Sequence, residues 1–216
     1  NFSTQASIAK HIFKFPRIVI HKLCHNNFAL FLVIKNMLTL HAFIRRFILI
    51  GLISLLFFHL PASANNIWID VNTAKHTLTV MNGGDVEMKF KNIAIGRFGT
   101  THFKMQGDDK TPLGTFRIGW INEKSRYYRF FGLDYPNRDS ADLALKENRI
   151  TQETWRTIID ATNVSKTPPQ NTPLGGYIGI HGIGRGDPDV HDQFNWTNGC
   201  IALTNQQIDQ LGQWLE

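Results

Sequence analysis

The chain has 216 residues, 43% of them hydrophobic, which is enough for one sizeable domain and excludes a disordered, collagenous or coiled-coil polypeptide. Its formal net charge of +6 is confined to one end: residues 1–64 carry seven basic groups and no Asp or Glu, leaving 16 basic against 17 acidic groups in residues 65–216. That nearly neutral remainder lacks the cationic surface that displaces counterions from a phosphate backbone, so no nucleic acid partner is expected.

Residues 1–36 contain no Met and read as upstream sequence outside the fold, with Met37 as the expected start. From Met37 onward, Arg45-Arg46, an apolar run over 47–60 and Ala62-Ser63-Ala64 form the charged, apolar and small-residue sections of a secretory signal peptide spanning 37–64, with cleavage expected after Ala64. The apolar run is short of the roughly 20 residues that a membrane-spanning helix needs. The expected location is the periplasm or cell envelope, and the expected folded domain is 65–216.

The first third of that domain reads as β. Residues 67–71 and 77–80 are short, β-branched and bounded by turn residues, and Asn82-Gly83-Gly84 supplies a hairpin. Residues 86–91 alternate as a strand with one buried face, and 93–95 are expected to continue it. A glycine-bearing connection ends in Lys110-Thr111-Pro112-Leu113-Gly114, before a strand at 115–121. Residues 141–148 and 152–161 predict a helical insertion crossing one face of the sheet. Three prolines among residues 167–173 require a loop, and 177–180 reads as a short strand running into His181-Gly182. A final helix begins at the capping-box pattern Thr204-Asn205-Gln206-Gln207, with Ile208, Leu211 and Leu215 along one side.

Beyond residue 64, Cys200 is the sole cysteine. Exported proteins that use cysteine structurally pair it, so Cys200 is either a small buried hydrophobe or a reactive thiol. A thiol becomes a useful nucleophile when a nearby base or dipole favours its thiolate, and acyl transfer also needs N–H donors aimed at the developing oxyanion. His181 ends one predicted strand and Cys200 opens another after a tight Asn198-Gly199 turn, with 18 residues between them. Two neighbouring strands would bring the pair together.

Ile180-His181-Gly182, a loop, and Thr197-Asn198-Gly199-Cys200-Ile201-Ala202-Leu203 resemble the signature of YkuD-type L,D-transpeptidase catalytic domains, in which a His-Gly pair precedes a Ser-His-Gly-Cys segment. Gly107-Asp108-Asp109-Lys110-Thr111-Pro112-Leu113-Gly114-Thr115-Phe116 resembles the family's upstream G-x-x-x-T-P-x-G-x-F element. The resemblance implies a mainly β (α+β) sandwich around a mixed sheet, with a small helical insertion and a C-terminal helix. It implies a thioester between Cys200 and the acyl group of a peptidoglycan stem peptide of the meso-diaminopimelate type, resolved by an amine or by water. Cys200 would be the nucleophile and His181 the general base. The Gly182 carbonyl would orient the imidazole, and the Gly199 and Cys200 N–H groups would face the oxyanion. No metal or organic cofactor is implied.

Two departures stand out. Thr197-Asn198 replace Ser-His, and Ala202 stands where the family commonly has an arginine, removing a bidentate carboxylate binder. Thr197, Asn198, Trp196 and Arg185 are therefore the candidate substrate-binding residues, Arg185 as a substitute for the missing guanidinium. The wording around Cys200, with Leu133-Asp134-Tyr135-Pro136-Asn137 upstream, is similar to the YafK-type branch, some members of which release a lipoprotein from peptidoglycan. A hydrolase is accordingly the alternative activity, with an outer-membrane lipoprotein as its partner. Relatives continue past the final helix with another strand, so truncation after Glu216 is expected. The competing readings are a zinc peptidase using His181, His191, Asp187 and Cys200, and a wall-binding module whose cysteine is vestigial.

Overall fold

The computed structural model describes residues 17–21 and 66–215, all within one compact unit. The predicted signal segment 37–64 lies outside the described residues. Strands β1 (Arg17–His21), β2 (Ile67–Asn72), β3 (Thr77–Asn82), β4 (Asp85–Lys91), β7 (Gly114–Ser125), β8 (Tyr128–Leu133), β9 (Gly179–His181) and β10 (Ile201–Ala202) form an eight-stranded sheet ordered β10-β9-β8-β7-β1-β2-β3-β4. The short strands β5 (Thr100–Thr101) and β6 (Thr111–Pro112) pair separately. Helices α1 (Arg138–Lys146), α2 (Gln152–Asn163), α3 (Pro188–Gln193) and α4 (Asn205–Leu215) complete a mainly β, α+β architecture.

The sheet is mixed: β1/β2 and β9/β10 are parallel and the other neighbours antiparallel. Strand β7 joins its halves. Residues Gly114 to Arg117 pair with β1, whereas β8 is engaged from Ile118 onward, with a register shift between Ile118 and Trp120. The core collects Ile69, Val71, Leu78 and Val80 with Phe116, Ile118, Phe131, Leu133, Ile180, Ile201 and the α4 residues Ile208, Leu211 and Leu215.

Local chemistry explains where strands and helices stop. Asn92 adopts φ 62°, a left-handed conformation that ends β4, so 93–95 do not continue the strand as predicted. Ile93 and Ile95 are buried nonetheless. The alternation read in 86–91 does mark one inward face, on which Phe90 is buried and Met88 packs against the core, although β4 is the outer strand and Val86 is exposed. The capping box forms as predicted, Gln207 N–H donating to Thr204 Oγ1 at 3.2 Å and Thr204 N–H to Gln207 Oε1 at 3.0 Å. Residues 17–21, set outside the fold from sequence, pair in register with β2 and β7. Strand β8 and helix α3 had no counterpart in the sequence reading.

Candidate active site

Strands β9 and β10 run parallel with Ala202 opposite His181. Cys200 immediately precedes β10, and its sulfur faces the Gly179 N–H of β9. The register sets the predicted base and the predicted nucleophile on neighbouring segments at one edge of the sheet.

His181 is 2% exposed. Its Nδ1 lies 2.7 Å from the Gly182 carbonyl, which can only accept, so Nδ1 carries the proton and Nε2 keeps its lone pair. Tyr127 stacks on the imidazole at 4.4 Å between centroids, and Trp196 meets it edge-on at 5.7 Å. Burial pushes the imidazole down to about 4, against the opposing pull of the Gly182 carbonyl. At neutral pH the ring is an uncharged acceptor. Gly182 admits no side chain: a Cβ there would meet Asn205 Oδ1 at 2.6 Å and the Tyr127 carbonyl at 3.0 Å.

Cys200 is unpaired and half-buried. Its thiol donates to the Tyr177 carbonyl at 3.3 Å rather than to His181. Burial pushes the thiol up to about 11, opposed by the Gly179 N–H and the Lys104 ammonium, both of which favour the thiolate. Solvent still reaches the residue, and water offsets part of that rise. The resting pair is therefore neutral thiol and neutral imidazole, not thiolate and imidazolium.

The turn before Cys200 is fixed from three sides. Thr197 is buried, and its hydroxyl donates to the Cys200 carbonyl at 2.6 Å while accepting from the Gly199 N–H at 3.1 Å. The Gly199 N–H, expected to face an oxyanion, is therefore already engaged. Gly199 sits at φ 127°, and a Cβ would meet the Lys110 carbonyl at 2.6 Å and Lys104 Cε at 3.2 Å. Lys110, the residue before the Thr-Pro-x-Gly segment, thus packs directly against the cysteine turn. Asn198 is exposed, and its Oδ1 accepts from Arg97 Nη2 at 2.6 Å, leaving its amide N–H groups for another partner. Trp196 is partly buried and donates from Nε1 to His191 Nδ1 at 3.3 Å. Arg185 is exposed on the loop after β9, on the wall of a cavity that Trp196 also lines.

Sequence reasoning missed Arg97, Lys104, Tyr127 and Tyr177. Lys104 is 4% exposed and its ammonium meets Asp108 Oδ1 at 2.6 Å. The i,i+4 spacing of that pair is visible in the chain, but its place under Gly199 is not. Tyr127 reaches His181 because the β7–β8 turn stands beside β9, where Phe130 is opposite His181. No linear signal announces that. Among the described residues, no three His, Cys, Asp or Glu side chains gather where they could hold a metal ion.

A mixed sheet with His181 at the end of one strand and Cys200 immediately before its parallel neighbour, packed against Lys110, is the frame in which the family match falls. Residues 66–216 match the family model YkuD, described as the L,D-transpeptidase catalytic domain, and the chain belongs to that family, which acts on peptidoglycan. The match is to the domain and names no branch within it. Among solved structures the chain is similar to the helical cell shape determining protein Pgp2 of Campylobacter jejuni, at 23% identity and TM-score 0.43, over 67% of this chain and 42% of that one. It is also similar to Bd1075 of Bdellovibrio bacteriovorus, at 19% identity and TM-score 0.41, over 69% and 44% of the two chains. The chain thus spans less than half the length of these proteins. A comparison with curated protein sequences gives no match.

Proposed function

We propose that the protein is a cysteine-dependent L,D-transpeptidase that works on peptidoglycan stem peptides through a thioester on Cys200, in the cell envelope. The observation that carries this reading is the His181 Nδ1–Gly182 hydrogen bond, which leaves Nε2 as a proton acceptor at the end of β9, the strand paired with the one that Cys200 precedes.

Sγ attacks the carbonyl carbon of the donor peptide as Nε2 takes the thiol proton. The oxygen that becomes negative faces the Cys200 N–H, and Asn198 donates beside it from its amide. Collapse of the tetrahedral adduct breaks the C–N bond, and the imidazolium gives its proton to the leaving amine. An acceptor amine then attacks the thioester carbonyl and loses a proton to Nε2. The C–S bond breaks, a new amide forms, and sulfur takes the proton back from the imidazolium. A neutral resting pair suits this cycle, because a buried imidazolium is formed only while opposite charge develops beside it. With water as acceptor the same steps give hydrolysis, so the products separate the two activities.

The test is incubation of the protein with muropeptides bearing tetrapeptide stems, followed by mass spectrometry, with Cys200→Ser alongside. Cross-linked products and a Cys200 adduct support transfer. Shortened stems or a released lipoprotein indicate hydrolysis, and unchanged muropeptides without an adduct at Cys200 refute the enzyme reading.

A further inference from the structure

Arg97 lies outside both sequence motifs, yet its backbone is clamped between them. On one side, residues 95–97 run beside 195–197. The Thr197 N–H donates to the Ile95 carbonyl at 3.2 Å, and the Arg97 N–H donates to the Thr197 carbonyl at 2.9 Å. The Ile95 N–H donates to Asn195 Oδ1 at 3.1 Å. On the other side, the Gly96 N–H donates to Thr111 Oγ1 at 2.8 Å, and a Cβ on Gly96 would meet the Asp109 carbonyl at 2.5 Å. The Arg97 side chain therefore starts from a fixed point between the Thr-Pro-x-Gly segment and the cysteine turn.

Its guanidinium then joins the two motifs. Nε lies 3.4 Å from Asp109 Oδ2, and Nη2 lies 2.6 Å from Asn198 Oδ1 and 3.5 Å from the Trp196 carbonyl. A guanidinium can only donate, so the Asn198 atom that meets it is the amide oxygen, and the NH2 group is the free arm of the amide. The backbone of Asn198 is already set by its neighbours, the Thr197 hydroxyl bonds on one side and Gly199 at φ 127° on the other. What remains adjustable is the side chain, whose terminal torsion is a broad, roughly two-fold rotor. Without a partner, the oxygen and the NH2 group would exchange places at little cost. Asn198 also stands where the family signature has a histidine, so in this chain a donor at that position depends on its amide being held the right way round.

We propose that Arg97 is a positioning residue, which holds the Asn198 amide oxygen to its guanidinium so that the NH2 group is the arm offered to the oxygen that becomes negative as Cys200 is acylated. The role rests on the acyl-transfer reading above. A flipped amide would present its own carbonyl oxygen to the developing charge and repel it, so orientation decides whether Asn198 helps or hinders. The Arg97–Asn198 bond is charge-assisted, which favours one orientation over the other. Asp109 in turn holds the far edge of the guanidinium, so the upstream motif steers a group in the cysteine turn. The Arg97 side chain is 47% exposed, and exposed contacts of this kind add little to stability, so its removal should be felt in catalysis and hardly in folding.

The experiment follows acylation of Cys200 in the full chain by tetrapeptide muropeptides, by rapid quench and intact mass over a series of substrate concentrations. Loss of one oxyanion donor costs about 10²–10³-fold, and a freed amide still presents its NH2 group part of the time. Arg97→Met should therefore lower the limiting acylation rate at least tenfold and change the half-saturating concentration less than twofold. Asn198→Ala should lower the rate at least as far. Adding Arg97→Met to Asn198→Ala should cost less than a further threefold, because the guanidinium then has no amide to orient. Alkylation by iodoacetamide displaces iodide and forms no oxyanion, so its rate should stay within twofold of the parent in all three variants. Arg156→Met, at an exposed position on α2, makes the same charge change and should acylate at the parent's rate. Losses that multiply in the double variant, or a loss carried by the half-saturating concentration, place Arg97 on the substrate and overturn the proposal. Alkylation that slows together with acylation places it on the thiol turn and overturns it too. If the parent forms a thioester and Arg97→Met forms it as fast, the positioning role alone falls. If the parent forms none, the acyl-transfer reading falls and takes the role with it.

Discussion

The neutral resting pair has a direct kinetic consequence for alkylation of Cys200 by iodoacetamide. With the thiol pushed up to about 11, the thiolate fraction at pH 7 is about 10⁻⁴, against about 10⁻² for a thiol at its ordinary 9.0. A more basic thiolate is intrinsically the better nucleophile, and two pH units are worth roughly tenfold at a Brønsted coefficient near 0.45. Alkylation at pH 7 should therefore run about tenfold slower than that of an ordinary exposed cysteine, and its rate should still be climbing above pH 9. Lys104→Met should move the midpoint higher, because the buried ammonium favours the thiolate. His181→Asn should move it little, because burial already keeps the imidazole uncharged at neutral pH. The assay is a pH–rate profile read by intact mass. A rate that levels off below about pH 8, or a midpoint that rises sharply in His181→Asn, would falsify the neutral-pair assignment and establish a resting thiolate–imidazolium pair.

Three further outcomes follow from the same geometry. His181 is held at about 4 in the folded protein against 6.5 unfolded, so the unfolded chain binds the extra proton first. Stability should fall by about 3 kcal/mol as pH drops from 6.5 to 4, measured by urea denaturation, and His181→Gln should flatten that slope. Gly182→Ala drives a Cβ into Asn205 and the Tyr127 carbonyl, and should lower stability by about 2 kcal/mol while slowing Cys200 acylation, read by denaturant midpoint and adduct formation. Thr197→Val removes the partner of both the Gly199 N–H and the Cys200 carbonyl and should cost about 2 kcal/mol, with an unchanged denaturation midpoint counting against the buried bracing role.

Strong local signals placed much of this fold. The β-branched runs of β2 and β3, the hairpin glycines between β3 and β4, and the Thr204–Gln207 capping box all act over a few residues, and each appears where its chemistry puts it. Local reading failed where tertiary position decides. The alternation in β4 did not report that it is the outer strand of the sheet, and nothing near Tyr128 marked β8. Residues 17–21 pair with strands more than forty residues away in sequence, beyond the reach of any short window.

The site divides in the same way. His181, Gly182, Gly199 and Cys200 were singled out by their resemblance to a family signature, and the lone cysteine of residues 65–216 could be counted. Only the folded sheet shows that the thiol donates to Tyr177, that the Gly199 N–H is taken by Thr197, and that Tyr127 and Trp196 wall the imidazole. The charge state of the pair is likewise a tertiary property. It depends on desolvation by elements gathered from across the chain, with Lys104 and Gly179 opposing it at the sulfur, and no spacing in the sequence encodes how deeply those groups are buried.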